Sequence, residues 1–301
     1  GVNYVDTAYG YHGGNSERLL GRALRGGYRE KVRVATKMPT GEVKEYADFD
    51  RLLNEQLSKL DLPYIDFYLL HGLRQDRWDA VCGLGYTSWA EKAVADGRVR
   101  HLGFSFHDSF EALKAIIDSF DHWTMCQIQY NYMNEQVQAG TRGLEYAASK
   151  GLAVVVMEPL LGGRLVNPPA VVQAICDSDG RGRTPAAWGF DWLWNKPQVT
   201  VALSGMSTMQ QVEENIASAS RSGTYILSEA DLALVARVRD QYQQLCPIPC
   251  TDCKYCMPCP NGVNIPHNFG MFNNGAMYDK WEDSRKWYTG GRFPEAERAS
   301  A

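Results

Sequence analysis

Residues 99–129 read VRHLGFSFHDSFEALKAIIDSFDHWTMCQIQ and contain two β-rich runs separated by a helical pattern. We predict strands at Val99–Phe104 and Thr124–Gln129 and a helix at Ser109–Phe120. A strand, a helix and a second parallel strand make one βαβ unit, which is the repeating element of α/β folds. This stretch therefore predicts a parallel sheet flanked by helices.

The same alternation runs along residues 1–245. Most strand candidates are apolar on both faces, as expected of buried parallel strands. The other strand candidates are Val2–Val5, Val32–Thr36, Ile65–Leu70, Ala153–Met157 and Val199–Leu203. The other helix candidates are Ser16–Arg25, Phe49–Lys59, Trp89–Ala95, Thr141–Lys150, Pro185–Trp194, Met209–Ala219 and Ser228–Leu245.

Seven strand–helix units in a row predict a (β/α)8 TIM barrel. The eighth unit is missing, and Gly1 opens in what reads as the end of a strand. We therefore expect the missing unit to lie upstream of a cut N-terminus. An open doubly wound sheet is the alternative, and it is disfavoured because no GxGxxG loop follows a strand.

In residues 246–301 strand and helix patterns no longer alternate, and the segment is rich in Cys, Pro, Gly, Asn and aromatic residues. We predict two domains, a barrel at 1–245 and a small cysteine-rich module at 246–301. A segment this short forms little hydrophobic core, so a metal would help to hold it. We also expect the module to be cut at its C-terminus.

Composition, charge and cysteine placement argue against some classes of function. The 301 residues carry a formal net charge of −4 and no Lys/Arg-rich run, which argues against nucleic acid as a partner. No apolar stretch reaches about 18 residues, so we expect no membrane span. Five of the eight cysteines cluster between 246 and 259, and no secretory signal is recognised. Clustered cysteines without a signal point to metal rather than disulfides and to a cytoplasmic location.

Acid–base side chains stand at the ends of the first three strands: Asp6, Lys37 and His71. In a barrel of this type the carboxyl ends of the strands carry the active residues. A free tyrosine has a pKa near 10, and a neighbouring ammonium favours the phenolate. An Asp, a Lys, a His and a nearby Tyr would therefore suit carbonyl reduction, with hydride from a nicotinamide. Each residue alone has a common structural explanation, and it is the combination that favours a site.

The stretch DTAYGYHGGNSE at 6–17 resembles the aldo-keto reductase superfamily. The resemblance covers roughly residues 1–245. The family pattern is an Asp-Thr-Ala, a Tyr five residues after the Asp, then a Ser-Glu. It implies a catalytic tetrad of Asp6, Tyr11, Lys37 and His71, with Tyr11 as proton donor and Tyr9 as a neighbour. His12 departs from the pattern, since the family often has Gly there.

The same resemblance implies a bound NADPH or NADH. Ser105 and Gln127 match its nicotinamide contacts, although Phe106 stands where the family has Asn and Met157 where it has an aromatic residue. Gly205 and Gln211 stand where many NADPH-preferring members have Lys or Arg, so the choice of dinucleotide stays open. The implied cofactor-binding residues are Ser105, Gln127, Met157, Leu161, Gly163, Arg164, Ser204, Gly205, Met206, Thr208, Gln211, Glu214 and Asn215.

The module carries four cysteines three residues apart and then a proline, at Cys250, Cys253, Cys256, Cys259 and Pro260. Such spacing suits a 4Fe–4S cube and differs by one residue from the bacterial ferredoxin run. Zinc usually takes two pairs separated by a longer loop, and disulfides are less expected still.

A subset of aldo-keto reductases resembles this chain in having a C-terminal ferredoxin-like extension. That resemblance implies one or two clusters, since fuller members carry a second run. Cys246 stays an alternative ligand.

These features predict an oxidoreductase that acts on a small-molecule aldehyde, ketone or alcohol. Its iron–sulfur module would exchange electrons with a ferredoxin-like partner or would only stabilise the fold. The alternative is a redox or iron sensor, or an auxiliary electron-transfer subunit, whose barrel has low activity. It is motivated by the departures at Phe106, Met157 and Gly205.

Overall fold

A computed structural model describes residues 2–250, 255–290 and 294–299. Seven strands form one parallel sheet whose order follows the chain, β1 to β7. All seven predicted strands are confirmed. They are β1 (Tyr4–Asp6), β2 (Arg33–Met38), β3 (Ile65–Leu73), β4 (Val99–Phe106), β5 (Trp123–Gln129), β6 (Ala153–Met157) and β7 (Val199–Ala202).

The sheet curls around an apolar cluster formed by Ala35, Leu69, Met125 and Val155, all at most 2% exposed. Side chains from the first and last strands, which include Tyr4 and Val201, pack against this same cluster. Strands at opposite edges of the sheet can share one core only if the sheet bends round, as it does in a TIM-type barrel. The predicted fold class is confirmed to that extent.

Helices lie between the strands and after the last strand. They are α1 (Ser16–Ala23), α2 (Tyr46–Leu60), α3 (Gln75–Gly83), α4 (Tyr86–Ala95), α5 (Phe110–Asp118), α6 (Gly140–Ser149), α7 (Ala170–Asp177), α8 (Pro185–Trp194), α9 (Met209–Ala219), α10 (Glu229–Gln244), α11 (Ile265–Tyr278) and α12 (Trp281–Thr289). Local chemistry sets several of their ends. Ser109 caps α5, and capping boxes begin α2, α9 and α10.

Four helices differ from the sequence prediction, which placed no helix at α3, α7, α11 or α12. The last two lie in the module that lacked a strand–helix rhythm. Asn264 caps α11 through its side chain, and the ring of Phe272 on α11 packs edge-on against Trp281 of α12 at 5.3 Å. These contacts hold a helical pair that composition alone does not predict.

Contacts divide the chain into two compact units, Gly1–Pro159 with Leu193–Thr224, and Leu160–Trp192 with Tyr225–Ala301. All seven strands belong to the first unit, whereas α10, α11 and α12 belong to the second. The predicted boundary at 245/246 follows composition rather than contacts and stays a prediction. Among the described residues, no helix combines the length and apolar character that crossing a membrane requires.

Candidate active site

Lys37 and Asp6 form a buried ion pair at the ends of neighbouring strands. The parallel pairing of β1 and β2 sets Asp6 opposite Ala35, so Lys37 projects just beyond it. Lys37 Nζ lies 2.5 Å from Asp6 Oδ1 and also donates to the carbonyl of Thr7 at 2.9 Å. The lysine side chain is 1% exposed and the aspartate 13%. Burying a lysine this deeply is costly unless a carboxylate partners it, and Asp6 supplies that carboxylate.

Tyr11 reaches the same ammonium from the loop that follows β1. Lys37 Nζ lies 3.3 Å from the Tyr11 hydroxyl and 4.8 Å from the centre of its ring. Tyr11 itself is 39% exposed. The Tyr11 hydroxyl is therefore accessible to a ligand, whereas the Lys37 ammonium that would stabilise its phenolate is buried in the core.

His71 completes the group from β3. Its ring meets that of Tyr11 edge-on, with the centroids 5.6 Å apart and an interplanar angle of 78°. Thr40 fixes the backbone here by donating its hydroxyl to the His71 carbonyl at 3.0 Å. Burial, followed by the charge of Lys37, lowers the pKa of His71 to about 4. The imidazole is neutral at physiological pH and can offer an N–H to a carbonyl oxygen.

Two predicted nicotinamide contacts border the tetrad. Gln127 on β5 is 1% exposed and donates its amide to Asp6 Oδ2 at 3.1 Å. Ser105 on β4 is 2% exposed, and its hydroxyl oxygen accepts from the Gly72 amide at 2.7 Å. Within the described residues the Ser105 hydroxyl donates to nothing, so its hydrogen remains available to a ligand.

A buried polar network behind Lys37 was not predicted from the sequence. Glu17 is fully buried, and one of its carboxylate oxygens accepts from Thr36 and from Gln56, each at 2.6 Å. The Gln56 amide also donates to the Lys37 carbonyl at 3.0 Å, and Tyr68 donates to Gln56 at 2.6 Å. Burial raises the pKa of Glu17. The network links α1, α2, β2 and β3 directly behind the tetrad.

A signal for this network is present in the sequence. The buried positions of α2 are Phe49, Leu52, Leu53, Gln56 and Leu60, which follow helical spacing. Gln56 is the one polar residue in that apolar stripe, and buried polar side chains need hydrogen-bond partners.

The predicted adenosine-side segment follows β7 and enters α9. Asn215 donates to the Ser204 hydroxyl at 3.0 Å, which ties the helix to the strand end. Thr208 and Gln211 form the capping box of α9, so both already have local partners. Glu214 accepts from Gln210 at 2.7 Å. Gly205 and Met206 lie in the loop between β7 and α9.

The remaining predicted cofactor residues have the following positions. Met157 ends β6 and is half-buried. Leu161 and Gly163, in the second unit, both have left-handed backbone, with φ of 50° and 88°. Arg164 lies with its guanidinium 6.0 Å from the ring centre of Tyr278. That these residues bind a dinucleotide stays a prediction.

Two departures from the family pattern have visible consequences. Phe106 is fully buried and packs edge-on against Phe104 at 6.2 Å, on the strand face opposite Ser105. His12 adopts left-handed backbone with φ of 53°, the region that glycine occupies without strain. The loop keeps a glycine-like shape at His12, whereas Phe106 offers no amide to a ligand.

The cysteine run is described in part. Cys250 and Cys256 are exposed and Cys259 is half-buried, while Cys253 lies outside the described residues. Among the residues described, His, Cys, Asp and Glu form no group of three or more that could hold a metal ion. The Cys246 thiol donates to the carbonyl of Ile248 at 3.5 Å. The predicted iron–sulfur site is therefore not confirmed.

Comparison with known proteins agrees with the strand-end geometry. The model of the Aldo/keto reductase family matches residues 1–224. The chain belongs to the aldo/keto reductase family. It is 27% identical over 269 residues to L-galactose dehydrogenase of Arabidopsis thaliana, a match that covers 81% of this chain and 82% of that protein.

Two further similarities complete the comparison. The chain is 22% identical over 295 residues to the NADH-specific methylglyoxal reductase of Escherichia coli K12, with 81% of this chain and 85% of that protein covered. A crystal structure of an aldo-keto reductase from Klebsiella pneumoniae in complex with NADPH superimposes with a TM-score of 0.63 at 25% identity. That match covers 79% of this chain and 80% of the other. The protein is accordingly an oxidoreductase.

Proposed function

We propose that this protein reduces an aldehyde or ketone, or oxidises the corresponding alcohol, with NADPH or NADH as hydride carrier and Tyr11 as proton donor. The observation that carries the proposal is that Lys37 contacts both Asp6 at 2.5 Å and the Tyr11 hydroxyl at 3.3 Å. The Klebsiella pneumoniae relative is described with NADPH and the Escherichia coli relative as NADH-specific, so both dinucleotides are candidates.

The buried polar groups beside the tetrad fit a nicotinamide. The Ser105 hydroxyl and the Gln127 amide stand at strand ends next to Asp6, where they would hold the carboxamide. When bound, the nicotinamide supplies the hydride, which side chains cannot provide. Asn215 and Ser204 would contact the adenosine half.

The chain's own residues would handle the proton. A carbonyl oxygen placed between Tyr11 and His71 accepts a hydrogen bond from each, and Tyr11 then donates its proton. Lys37 stabilises the phenolate that forms, and Asp6 keeps the ammonium in place. Because Tyr11 is 39% exposed, it can recover a proton from water.

The test compares Tyr11→Phe with Tyr9→Phe. Tyr9 is two residues away, but its hydroxyl donates to Glu55 at 3.1 Å rather than contacting Lys37. We expect Tyr11→Phe to lower kcat for aldehyde-dependent NADPH or NADH oxidation by about 10²- to 10⁴-fold, with cofactor affinity retained. Tyr9→Phe should stay within about threefold of the wild type, a spread small beside the general acid–base effect. Equal losses in the two variants would refute the assignment of Tyr11.

We further propose that the thiolates of Cys250, Cys253, Cys256 and Cys259 bind a 4Fe–4S cluster that exchanges electrons with a ferredoxin-like partner. The support is the three-residue spacing followed by a proline.

The test of this cluster is an iron and acid-labile sulfide assay, with a visible spectrum, on anaerobically purified protein. We expect about four irons per cluster. Cys256→Ser should lose the absorbance and Cys82→Ser, a half-buried thiol on α3, should retain it. Bound zinc without sulfide would contradict the proposal.

The tetrad also weighs against the alternative of a sensor with an inactive barrel. A binding module has no need of an acid, a phenol, an ammonium and an imidazole in mutual contact. An oxidoreductase is therefore the function that the geometry supports best.

A further inference from the structure

Arg77 is an exposed arginine beside the strand end that carries His71. It lies in the first turn of α3, and its Nη1 donates to the Gly72 carbonyl at 2.9 Å. Gly72 follows His71 directly and has left-handed backbone with φ of 62°. A Cβ at position 72 would lie 3.0 Å from Arg77 Nη1. The glycine thus leaves room for the guanidinium at this spot.

Stability alone gives little reason for this placement. A cation in the first turn of a helix is opposed by the helix dipole. Arg74 pairs with Asp76 at 3.3 Å, whereas Arg77 has no carboxylate partner in the described part of the chain. Its one bond to a neutral carbonyl leaves most of its five N–H groups unused among the described residues.

The charge of Arg77 is felt at the candidate site. Together with burial, Lys37 and His107, it lowers the pKa of His71. The named groups that act on the imidazole are all basic. The acid of the tetrad, Asp6, is already paired with Lys37. Asp108, after β4, already accepts from the backbone amides of Gln75 and Ser109. Glu158, the exposed acid after β6, follows a strand three places away from β3 in the sheet.

We propose that Arg77 binds an anionic group of the substrate, so that the preferred substrate is an aldehyde or ketone bearing a carboxylate or a phosphate. This inference rests on the proposed function and names the substrate class of the same site. A guanidinium offers a planar fork of donors that matches both anions. The anion would lie next to the neutral imidazole, which remains available to the carbonyl oxygen.

The test uses one series of aromatic aldehydes with the full chain: benzaldehyde, 4-formylbenzoate and 4-formylphenyl phosphate. The measured quantity is the ratio of kcat/KM for each anionic aldehyde to kcat/KM for benzaldehyde. In the wild type we expect this ratio to exceed one for at least one anion, and the larger ratio separates carboxylate from phosphate. Arg77→Gln should lower the ratio by about 10- to 100-fold, the range for a hydrogen bond to a charged group.

Two further variants make the experiment specific. Arg77→Lys keeps the charge and should restore part of the ratio. Arg74→Gln removes a second exposed arginine, at the N-cap of α3, and should leave the ratio within about twofold, because surface ion pairs contribute little. A ratio unaffected by Arg77→Gln, or lowered equally by Arg74→Gln, would overturn the inference.

A binding measurement keeps the two proposals distinguishable. If the wild type oxidises NADPH and NADH with none of the aldehydes, the proposed function fails, and terephthalate binding by calorimetry then tests Arg77 directly. Binding that weakens about tenfold or more in Arg77→Gln would support the anion site. Binding equal in the two proteins, or undetectable in the wild type, would reject it.

Discussion

Tyr9 and Tyr11 lie two residues apart in one loop and have different partners. Tyr9 donates to the Glu55 carboxylate at 3.1 Å, and Lys59 lies 3.6 Å from the centre of its ring. Partial burial and then the bond to Glu55 raise the pKa of Tyr9. Tyr11 instead contacts an ammonium. Two identical side chains in one loop therefore have different partners, since Tyr9 faces Glu55 and Lys59 of α2 and Tyr11 faces Lys37 of β2.

The lowered pKa of His71 predicts that the folding stability depends on pH. An unfolded histidine binds a proton near pH 6.5, whereas folded His71 does so only near pH 4. Between these values the unfolded chain holds more protons, so stability falls as the pH falls from about 6.5 to about 4. The loss from this group is at most about 1.4 kcal/mol per pH unit.

The measurement is urea unfolding across that pH range for the wild type and His71→Gln. The variant should show a shallower loss of stability, since position 71 no longer titrates. An NMR titration of the His71 ring should give a midpoint near 4. A midpoint near 6.5 would show that neither burial nor Lys37 acts on the imidazole.

The Lys37–Asp6 pair predicts a double-mutant result. Lys37→Met leaves a carboxylate that is 13% exposed without its cation, and we expect a loss of about 3 kcal/mol in unfolding free energy. Adding Asp6→Asn removes that charge and should recover part of the loss. If the double variant is less stable than Lys37→Met alone, the ion pair does not account for the cost.

At the level of helices and strands, the network around Gln56 joins the Tyr11 loop to the Lys37 strand. Glu17 stands in the first turn of α1, just after the loop, and Gln56 binds it as well as the Lys37 carbonyl. Gly21 brings α1 against the end of α2, since a Cβ there would lie 2.4 Å from the Leu60 carbonyl oxygen. The spacing between these elements therefore has little freedom.

Exchanging the two side chains tests this role. In Glu17→Gln combined with Gln56→Glu, the acid–amide contact and the bond from Tyr68 can persist, while the donor to the Lys37 carbonyl is lost. We expect a folded protein whose kcat falls about tenfold or more, because small displacements of catalytic groups are costly. Tyr68→Phe is the control and should affect thermal stability more than kcat. A swap variant with wild-type kcat would show that the network only stabilises the fold.

Strands were predicted well from the sequence and the late helices were not. Strand positions follow from apolar runs such as IDFYLL, which have few alternatives to burial. Helix α11 reads IPHNFGMFNNGAMY, and its two glycines and three asparagines are poor helix formers. Its Gly275 instead lets Trp281 approach, with a would-be Cβ 2.5 Å from the indole. Tertiary packing overrides propensity there, and one sequence does not reveal packing.

For the molecule as a whole, the group formed by Asp6, Lys37 and His71 could be anticipated because strand ends of a barrel converge by topology, whereas the choice of Tyr11 rests on the family resemblance. The contacts behind it could not, because they depend on which helix face meets which strand. Thr7 shows the difference: its carbonyl binds Lys37 and its hydroxyl donates to Ser16 at 2.8 Å. Its residue type indicates neither role.

Ligand-linked stability offers a test of the whole chain. A dinucleotide that binds only the folded protein stabilises it by about 2.7 kcal/mol at a concentration of 100 Kd. We expect Tm to rise with NADPH or NADH, and the larger rise at equal concentration identifies the preferred cofactor. The measurement is thermal unfolding with and without each dinucleotide, with adenosine as the control ligand. No rise with either one would contradict the proposed cofactor.

The four acid–base groups all lie between residues 6 and 71, on the first three strands of the sheet and the loop that follows β1. The predicted contacts to the dinucleotide lie on later strands and on the loops and helix that follow them. Recombination within this chain would therefore transmit the proposed acid–base groups as one contiguous block, separately from β4 and the segments after it. A chimera that exchanges only residues 1–74 with another family member would carry its acid–base groups and the loop after β3 together. Later segments could then vary while this block is kept, as long as Gln127 still donates to Asp6 and Ser105 still accepts from Gly72.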